Sequence, residues 1–277
     1  MSNVVIKYLK PLIQRFPILE LSYRTVRYHL EAARQKPVVT PYGFKLMGNT
    51  SMQNGTFEPM EVEVLKKYFE DTDTFIDIGA NIGFYTCLAL SLNKYAIAFE
   101  PLEQNLRYLY RNLIENGWNR IEVFPLGLSN KLGFASLYGT NTGASLISGW
   151  ANSSPLLKCT IPLSTLDTVL DKRLIGHRLV IKIDVEGTEQ SVLEGAKNHL
   201  QLTPRPTWLV EINLTEHHPA GVNPNFIKTF ETFWDNGYEA HTVDQNSKVV
   251  TEVDVKRWFL NRYRDFGSQN YLFTEKT

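Results

Sequence analysis

FIDIGANIGFYTCLALSLNKYAIAFE, residues 75–100, is the stretch from which the rest of the architecture follows. Phe75-Ile76-Asp77-Ile78 is a short apolar run with one carboxylate, Gly79-Ala80-Asn81-Ile82-Gly83 is a glycine turn, and Phe84 to Leu92 is apolar enough for a buried helix. Tyr95 to Phe99 reads as a second strand ending on Glu100, so the piece is a β-α-β unit. Gly79 and Gly83 let the backbone turn tightly and approach a ligand, while the helix N-terminus supplies free N–H groups above the strand ends. Glu100 falls beside that crevice, where a carboxylate accepts both hydroxyls of a ribose and so marks a nucleoside ligand.

The spacing selects among nucleosides. A dinucleotide fingerprint has three glycines as G-x-G-x-x-G, whereas Asn81 stands in the middle of this turn and Asp77 lies two residues before Gly79, where it would repel a pyrophosphate. The same carboxylate suits a ligand with an ammonium and a sulfonium. The D-x-G-x-N-x-G string followed by F-E-P resembles the first two motifs of class I S-adenosylmethionine-dependent methyltransferases.

Working outward, Glu103 to Asn116 carries Leu106, Leu109, Tyr110, Leu113 and Ile114 on one stripe and stops at Asn116-Gly117. Ile121 to Pro125 is the third strand, and Leu126 and Leu128 beyond it are candidate adenine contacts. Gly133 to Leu163 alternates over short runs between glycines, which predicts a small antiparallel insertion. Its polar segment, Thr140 to Ser148, reads either as a loop folded over the site or as an ordinary solvated loop.

Leu179 to Gly187, LVIKIDVEG, is the second informative stretch. Its apolar residues fit a buried central strand, yet Lys182, Asp184 and Glu186 share one side by the two-residue period. Buried charges are costly unless paired, so the triplet either pairs internally or lines a cleft at the strand's carboxyl end. Trp208 to Asn213 is a fifth strand that brings Glu211 and Asn213 to the same rim. Oxygens of this set could bind Mg²⁺, with Asp184, Glu211 and Asn213 as the candidate ligands, or bind sugar hydroxyls and take a proton. His217-His218 follows at once, as a further catalytic candidate or as plain surface.

Through D-x-G-A-N-I-G-F-Y-T, F-E-P, L-G-L-S-N, P-L-S-T-L-D, I-K-I-D-V-E-G-T-E, V-L-E-G-A and R-P-T-W-L-V-E, the chain from about Thr40 onward resembles the FkbM-type methyltransferases. The resemblance implies an α/β fold, a Rossmann-like, doubly wound, mostly parallel seven-stranded sheet. It also implies methyl transfer from S-adenosylmethionine to an oxygen, commonly a hydroxyl of a sugar, glycan, glycolipid or glycosylated natural product. Asp77, Gly79, Asn81 and Gly83 are then expected at the methionine part, Glu100 at the ribose and Leu126 and Leu128 at the adenine, with Ala80, Phe84 and Pro101 as further cofactor-binding residues. Asp184 or Glu186 would accept the hydroxyl proton or bind a metal, with Lys182 orienting the carboxylate and Glu211 beside it.

Residues 1–37 stand apart from this domain at 38–277. Lys7, Lys10, Arg15, Arg24, Arg27, Arg34 and Lys36 face only Glu20 and Glu31, and Val5, Tyr8, Leu9, Leu12, Ile13 and Phe16 recur at helical spacing. A basic helical extension is expected there, packed on its own domain or a second subunit, or lying on a membrane surface. The whole chain, 277 residues with 43% hydrophobic residues, can bury a full core, and its zero formal net charge gives no sign of a nucleic-acid partner. Cys87 and Cys159 lie far apart, which fits a reducing, cytoplasmic setting, peripheral to a membrane if the extension binds one. A non-catalytic nucleoside- or sugar-binding subunit and a nicotinamide-dependent oxidoreductase are the competing classes; the latter lacks a glycine at Asn81 and leaves the D-V-E-G stretch without a role.

Overall fold

The computed structural model describes residues 35–276. The helices expected within residues 1–37, and with them the membrane or subunit contact, lie outside the described residues except for the last three positions. No helix among the described residues is long and apolar enough to cross a membrane.

The chain enters through a short hairpin, β1 (Val38–Val39) and β2 (Lys45–Leu46), and two helices, α1 (Thr50–Gln53) and α2 (Pro59–Phe69). The expected β-α-β unit follows as β3 (Thr74–Ile78), α3 (Phe84–Ser91) and β4 (Tyr95–Phe99). Next come α4 (Glu103–Glu115), β5 (Ile121–Phe124), β6 (Gly127–Leu128), β7 (Gly133–Tyr138), β8 (Lys158–Ser164) and α5 (Leu166–Leu170). The chain closes with β9 (Leu179–Ile183), α6 (Glu189–Glu194), β10 (Thr207–Glu211), α7 (Phe226–Asp235), β11 (Tyr238–Thr242), β12 (Val249–Val250), α8 (Glu252–Asn261) and β13 (Asn270–Glu275).

The main sheet has the order β12-β11-β13-β10-β9-β3-β4-β5, parallel from β10 to β5 and antiparallel around β13. It is doubly wound: the chain runs outward from β3 through β4 to β5, then returns to build β9 and β10 on the other side. The strand order therefore reverses between β3 and β9, and a crevice opens above their carboxyl ends. Among the described residues this sheet has eight strands rather than seven, because the two-residue β12 adds to the edge at β11. The antiparallel insertion is present as β7 against β8, with β6 parallel to β8.

Side-chain alternation assigns the layers. Ile76, Ile78, Ile181, Ile183, Trp208 and Val210 pack towards α5 to α8, whereas Phe75, Val180 and Leu209 pack towards α2 and α3. Side chains this fully buried contribute about 1.5–3 kcal/mol each. The same alternation carries Asp77, Lys182 and Glu211 to the α2 and α3 side, beneath the crevice. The helix after β9 is short: α6 stops at Glu194, where Gly195 packs against the end of β6. A Cβ at Gly195 would meet the Ser129 carbonyl oxygen at 2.1 Å. α8 is started by a reciprocal cap between Thr251 and Asp254.

Candidate active site

The crevice is a cavity of about 270 Å³ with two dissimilar halves. One half is backbone. The N–H groups of Gly79 and Ala80 both donate to the Phe99 carbonyl, at 2.9 and 3.0 Å, which bends the chain away from β3. Gly79 has φ +84, and a Cβ there would sit 1.9 Å from the Asp184 carbonyl oxygen, so only glycine lets the ends of β3 and β9 approach this closely. Asn81, at φ 53, donates its N–H to Glu100 Oε2 at 2.8 Å, and Leu102 N–H donates to Glu100 Oε1 at 2.8 Å. Burial pushes the Glu100 carboxyl up to about 7, against these backbone bonds. The Asn105 side chain also hydrogen-bonds this carboxyl. Leu126 and Leu128 line this half, as do Ala80, Phe84 and Pro101.

Asp77 and Gly83 do not line the cavity. Asp77 is buried below its floor, accepts the Thr86 hydroxyl at 2.5 Å and lies beside Lys182 in the adjacent strand, with burial pushing its carboxyl up to about 6. It lies beneath the floor, outside the cavity lining. Gly83 opens α3 at φ +85 and faces Leu109 of α4, where a Cβ would come within 2.3 Å of that side chain. It is a packing glycine. The loop between Gly79 and Gly83 is pinned from behind by Asn112, whose Nδ2 donates to the carbonyls of Ile82 and Met47.

The other half is made of side chains. Lys182, 2% exposed, donates from Nζ to Asp184 Oδ2 at 2.8 Å and lies 4.7 Å from the centre of the Tyr85 ring. Burial opposes its charge, but Asp184, Glu58 and Asp77 outweigh burial and raise its pKa. Glu58, just before α2, accepts a hydrogen bond from the Tyr85 hydroxyl and faces the cavity. Glu186 has left the strand with φ 55; the Trp150 indole N–H donates to its Oε2 at 2.6 Å and the Ser145 hydroxyl to its carbonyl at 2.6 Å. Burial, and then the charge of Asp184, push the Glu186 carboxyl up to about 8. Glu211 also lines the cavity, its pKa raised well above the ordinary value by burial and then by Asp184 and Glu186. Three non-glycine residues at this cavity, Glu58, Asn81 and Glu186, thus hold positive φ, a strain that persists only where the surroundings enforce it.

Lys182, Asp184, Glu186 and Glu211 therefore converge as the sequence implies, while Asn213 does not line the cavity. Asn213 turns its Nδ2, a donor, to Glu211 Oε1 at 3.0 Å. Lys182 is seated among the carboxylates and Asn213, its Oδ1 without a hydrogen-bond partner, lies outside the cavity lining, so Asp184, Glu211 and Asn213 do not line the cavity together. Among the described residues no group of three or more His, Cys, Asp or Glu is arranged to hold a metal ion. His217 and His218 pack on the Trp150 ring, with centroids 6.1 and 5.9 Å away, behind Glu186 rather than in the cavity. The segment Thr140 to Ser148 does fold over the site, with Thr142, Ala144 and Leu146 lining it. Glu58, Tyr85, Ser145 and Trp150 were not anticipated. Only Glu58 leaves a trace in sequence, as an acidic residue directly before the proline that starts a helix.

Fold and cavity together define a methyltransferase of the doubly wound α/β kind. The methyltransferase FkbM domain model matches residues 77–240, and the chain belongs to that family. Hexuronic acid methyltransferase AglP of Haloferax volcanii is 29% identical over 205 residues, which span 74% of this chain and 73% of the relative. Precorrin-6y C5,15-methyltransferase of Geobacter metallireducens superposes over 84% of this chain and 94% of its own, at 12% identity and TM-score 0.45. Aeropyrum pernix fibrillarin, in complex with natively bound S-adenosyl-L-methionine, does so over 78% and 73%, at 13% identity and TM-score 0.41.

Proposed function

We propose that this methyltransferase uses S-adenosylmethionine to methylate a hydroxyl oxygen of a sugar unit in a glycan, glycolipid or glycosylated product. The observation that carries this reading is the cavity's division: a glycine cradle with buried Glu100 at one end, and Lys182 ringed by Asp184, Glu186, Glu58 and Glu211 at the other. The residues fit the cofactor. Gly79 to Asn81 and Glu100 would hold its methionine and ribose parts, Leu126 and Leu128 would flank the adenine, and the carboxylates favour a sulfonium. When bound, it supplies a methyl carbon whose bond to sulfur breaks as the acceptor oxygen bonds to it, leaving S-adenosylhomocysteine.

The chain's own residues position and deprotonate the acceptor. Glu186 is the proton acceptor: once ionised, a carboxyl whose pKa is pushed up to about 8 is a stronger base than an ordinary carboxylate. Trp150 and Ser145 hold Glu186 in place, and Lys182 holds Asp184 beside it. Alignment supplies much of the rate in such a transfer. AglP, whose name specifies a hexuronic acid, supports a sugar as the acceptor class. The test is transfer of label from methyl-labelled S-adenosylmethionine to a panel of glycosides; label appearing on a glycoside oxygen supports the reading, and S-adenosylmethionine failing to bind while NAD binds overturns it.

A further inference from the structure

The active-site cavity takes one wall from outside the stretch that matches the FkbM domain. That match begins at residue 77, whereas Asn49, Met52, Phe57 and Glu58 come from the segment leading into α2, and all four line the cavity. Two adjacent contacts fasten the segment to the start of α3. The Phe57 ring meets the Phe84 ring edge-on, with centroids 5.6 Å apart, and Glu58 Oε2 accepts the Tyr85 hydroxyl. Glu58 is the N-cap residue of α2, where a carboxylate gains by turning back towards the free N–H groups of its helix. It makes no such cap. At φ 41, a conformation that a non-glycine residue holds only where its surroundings enforce it, the side chain faces the cavity instead. Tyr85 occupies Oε2, and among the described residues Oε1 has no hydrogen-bond partner.

The place of Glu58 along the sheet separates it from the cofactor half. In the order β10-β9-β3-β4, Glu211 and Glu100 stand at the carboxyl ends of the outer two strands, three strand spacings or about 14 Å apart. Glu58 belongs to the β10 end: the charges of Lys182 and Asp184 act on its carboxyl, and its own charge acts on Glu211. We infer that Glu58 is a specificity-determining residue of the acceptor half, its free oxygen bonding a second hydroxyl of the sugar that is methylated, and that Tyr85 is the positioning residue that aims it. The inference rests on the sugar-methyltransferase reading above. A carboxyl makes this bond in either protonation state, as acceptor when ionised and as donor when protonated. The Tyr85 ring also lies 4.7 Å from Lys182 Nζ, so Tyr85→Phe removes the hydroxyl and leaves that contact in place.

The experiment uses the full chain, methyl-labelled S-adenosylmethionine, the p-nitrophenyl glycoside that accepts label best, and the monodeoxy derivatives of that glycoside, each lacking one hydroxyl other than the methylated one. In the wild type, one derivative is expected to lose about ten- to a hundredfold in kcat/KM. Glu58→Ala is expected to erase that difference: the parent glycoside falls to within about twofold of the derivative, through KM, while S-adenosylhomocysteine affinity stays within about twofold. Tyr85→Phe is the second variant, expected to shrink the parent-to-derivative ratio at least about threefold with the same unchanged S-adenosylhomocysteine affinity. If the bond between Tyr85 and Glu58 only ties α2 to α3, the variants lower the melting temperature and keep the wild-type ratio. That result overturns the inference while leaving the activity in place, as does a wild type indifferent to every deoxy derivative. Loss of S-adenosylhomocysteine affinity in step with activity in both variants also overturns it, by placing Glu58 in the cofactor half. Transfer to none of the glycosides, with S-adenosylhomocysteine bound, overturns the sugar-acceptor reading and the inference with it.

Discussion

The two halves of the cavity are built in opposite ways. The glycine half is built around one contiguous unit, Thr74 to Glu100, with Pro101, Leu126 and Leu128 added at its edge, and relies largely on main-chain groups whose positions follow once a strand turns tightly into a helix. The carboxylate half gathers Glu58, Tyr85, Trp150, Lys182, Asp184, Glu186 and Glu211 from five separated segments and relies on side-chain chemistry held by burial. A backbone site tolerates change in the residues around it but not in its glycines. A side-chain site can lose a functional group and keep its shape, so substitutions should separate holding the cofactor from performing the transfer.

The largest expected effect falls where the halves touch. Gly79→Ala drives a methyl into the Asp184 carbonyl and strains a positive φ, and should cost about 3–5 kcal/mol of stability by denaturant titration and abolish cofactor binding. Retained binding would break the comparison at its root. Glu186→Gln should next lower kcat about 10²- to 10⁴-fold with the fold intact, as loss of a general base does. In the wild type, kcat/KM should fall about tenfold per pH unit below about 8, and this limb should be missing from the residual activity of the variant.

Trp150→Phe keeps the ring and removes the N–H that favours ionised Glu186, so the acid limb should move to higher pH with kcat reduced only about three- to tenfold. The smallest effect is on stability. Glu100 and Glu186 have folded-state pKa values raised to about 7 and about 8, so their contribution is fully present below the ordinary carboxylate range and is lost as pH rises through those values. The melting temperature should therefore decline from pH 5 to pH 8.5, less steeply in Glu186→Gln; an equal slope in the variant would show that Glu186 is not strained by its burial.

What the sequence revealed follows the same division. The β-α-β unit, the buried strand at Leu179 to Ile183 and the antiparallel insertion are local patterns of period and glycine, and they were legible. Gly83 and Asp77 were legible as motif members but not as supports, because only the packing of α4 and the pairing of β3 with β9 shows what they face. Asn213 was carried to the rim by strand alternation that stops at Glu211. Trp150 lies 36 residues from Glu186, in a loop without periodicity, and no local pattern ties the two together. The β12 edge strand is too short to register as a pattern at all.

The most direct test of the divided cavity is calorimetric titration with S-adenosylhomocysteine of the wild type, of Glu100→Ala and of the Asp184→Asn, Glu186→Gln double variant. The wild type and the double variant should bind within about threefold of each other, and Glu100→Ala should bind at least about thirtyfold more weakly, as expected when a charge-assisted pair of hydrogen bonds is lost. No binding to the wild type, or a double variant as impaired as Glu100→Ala, would contradict the account.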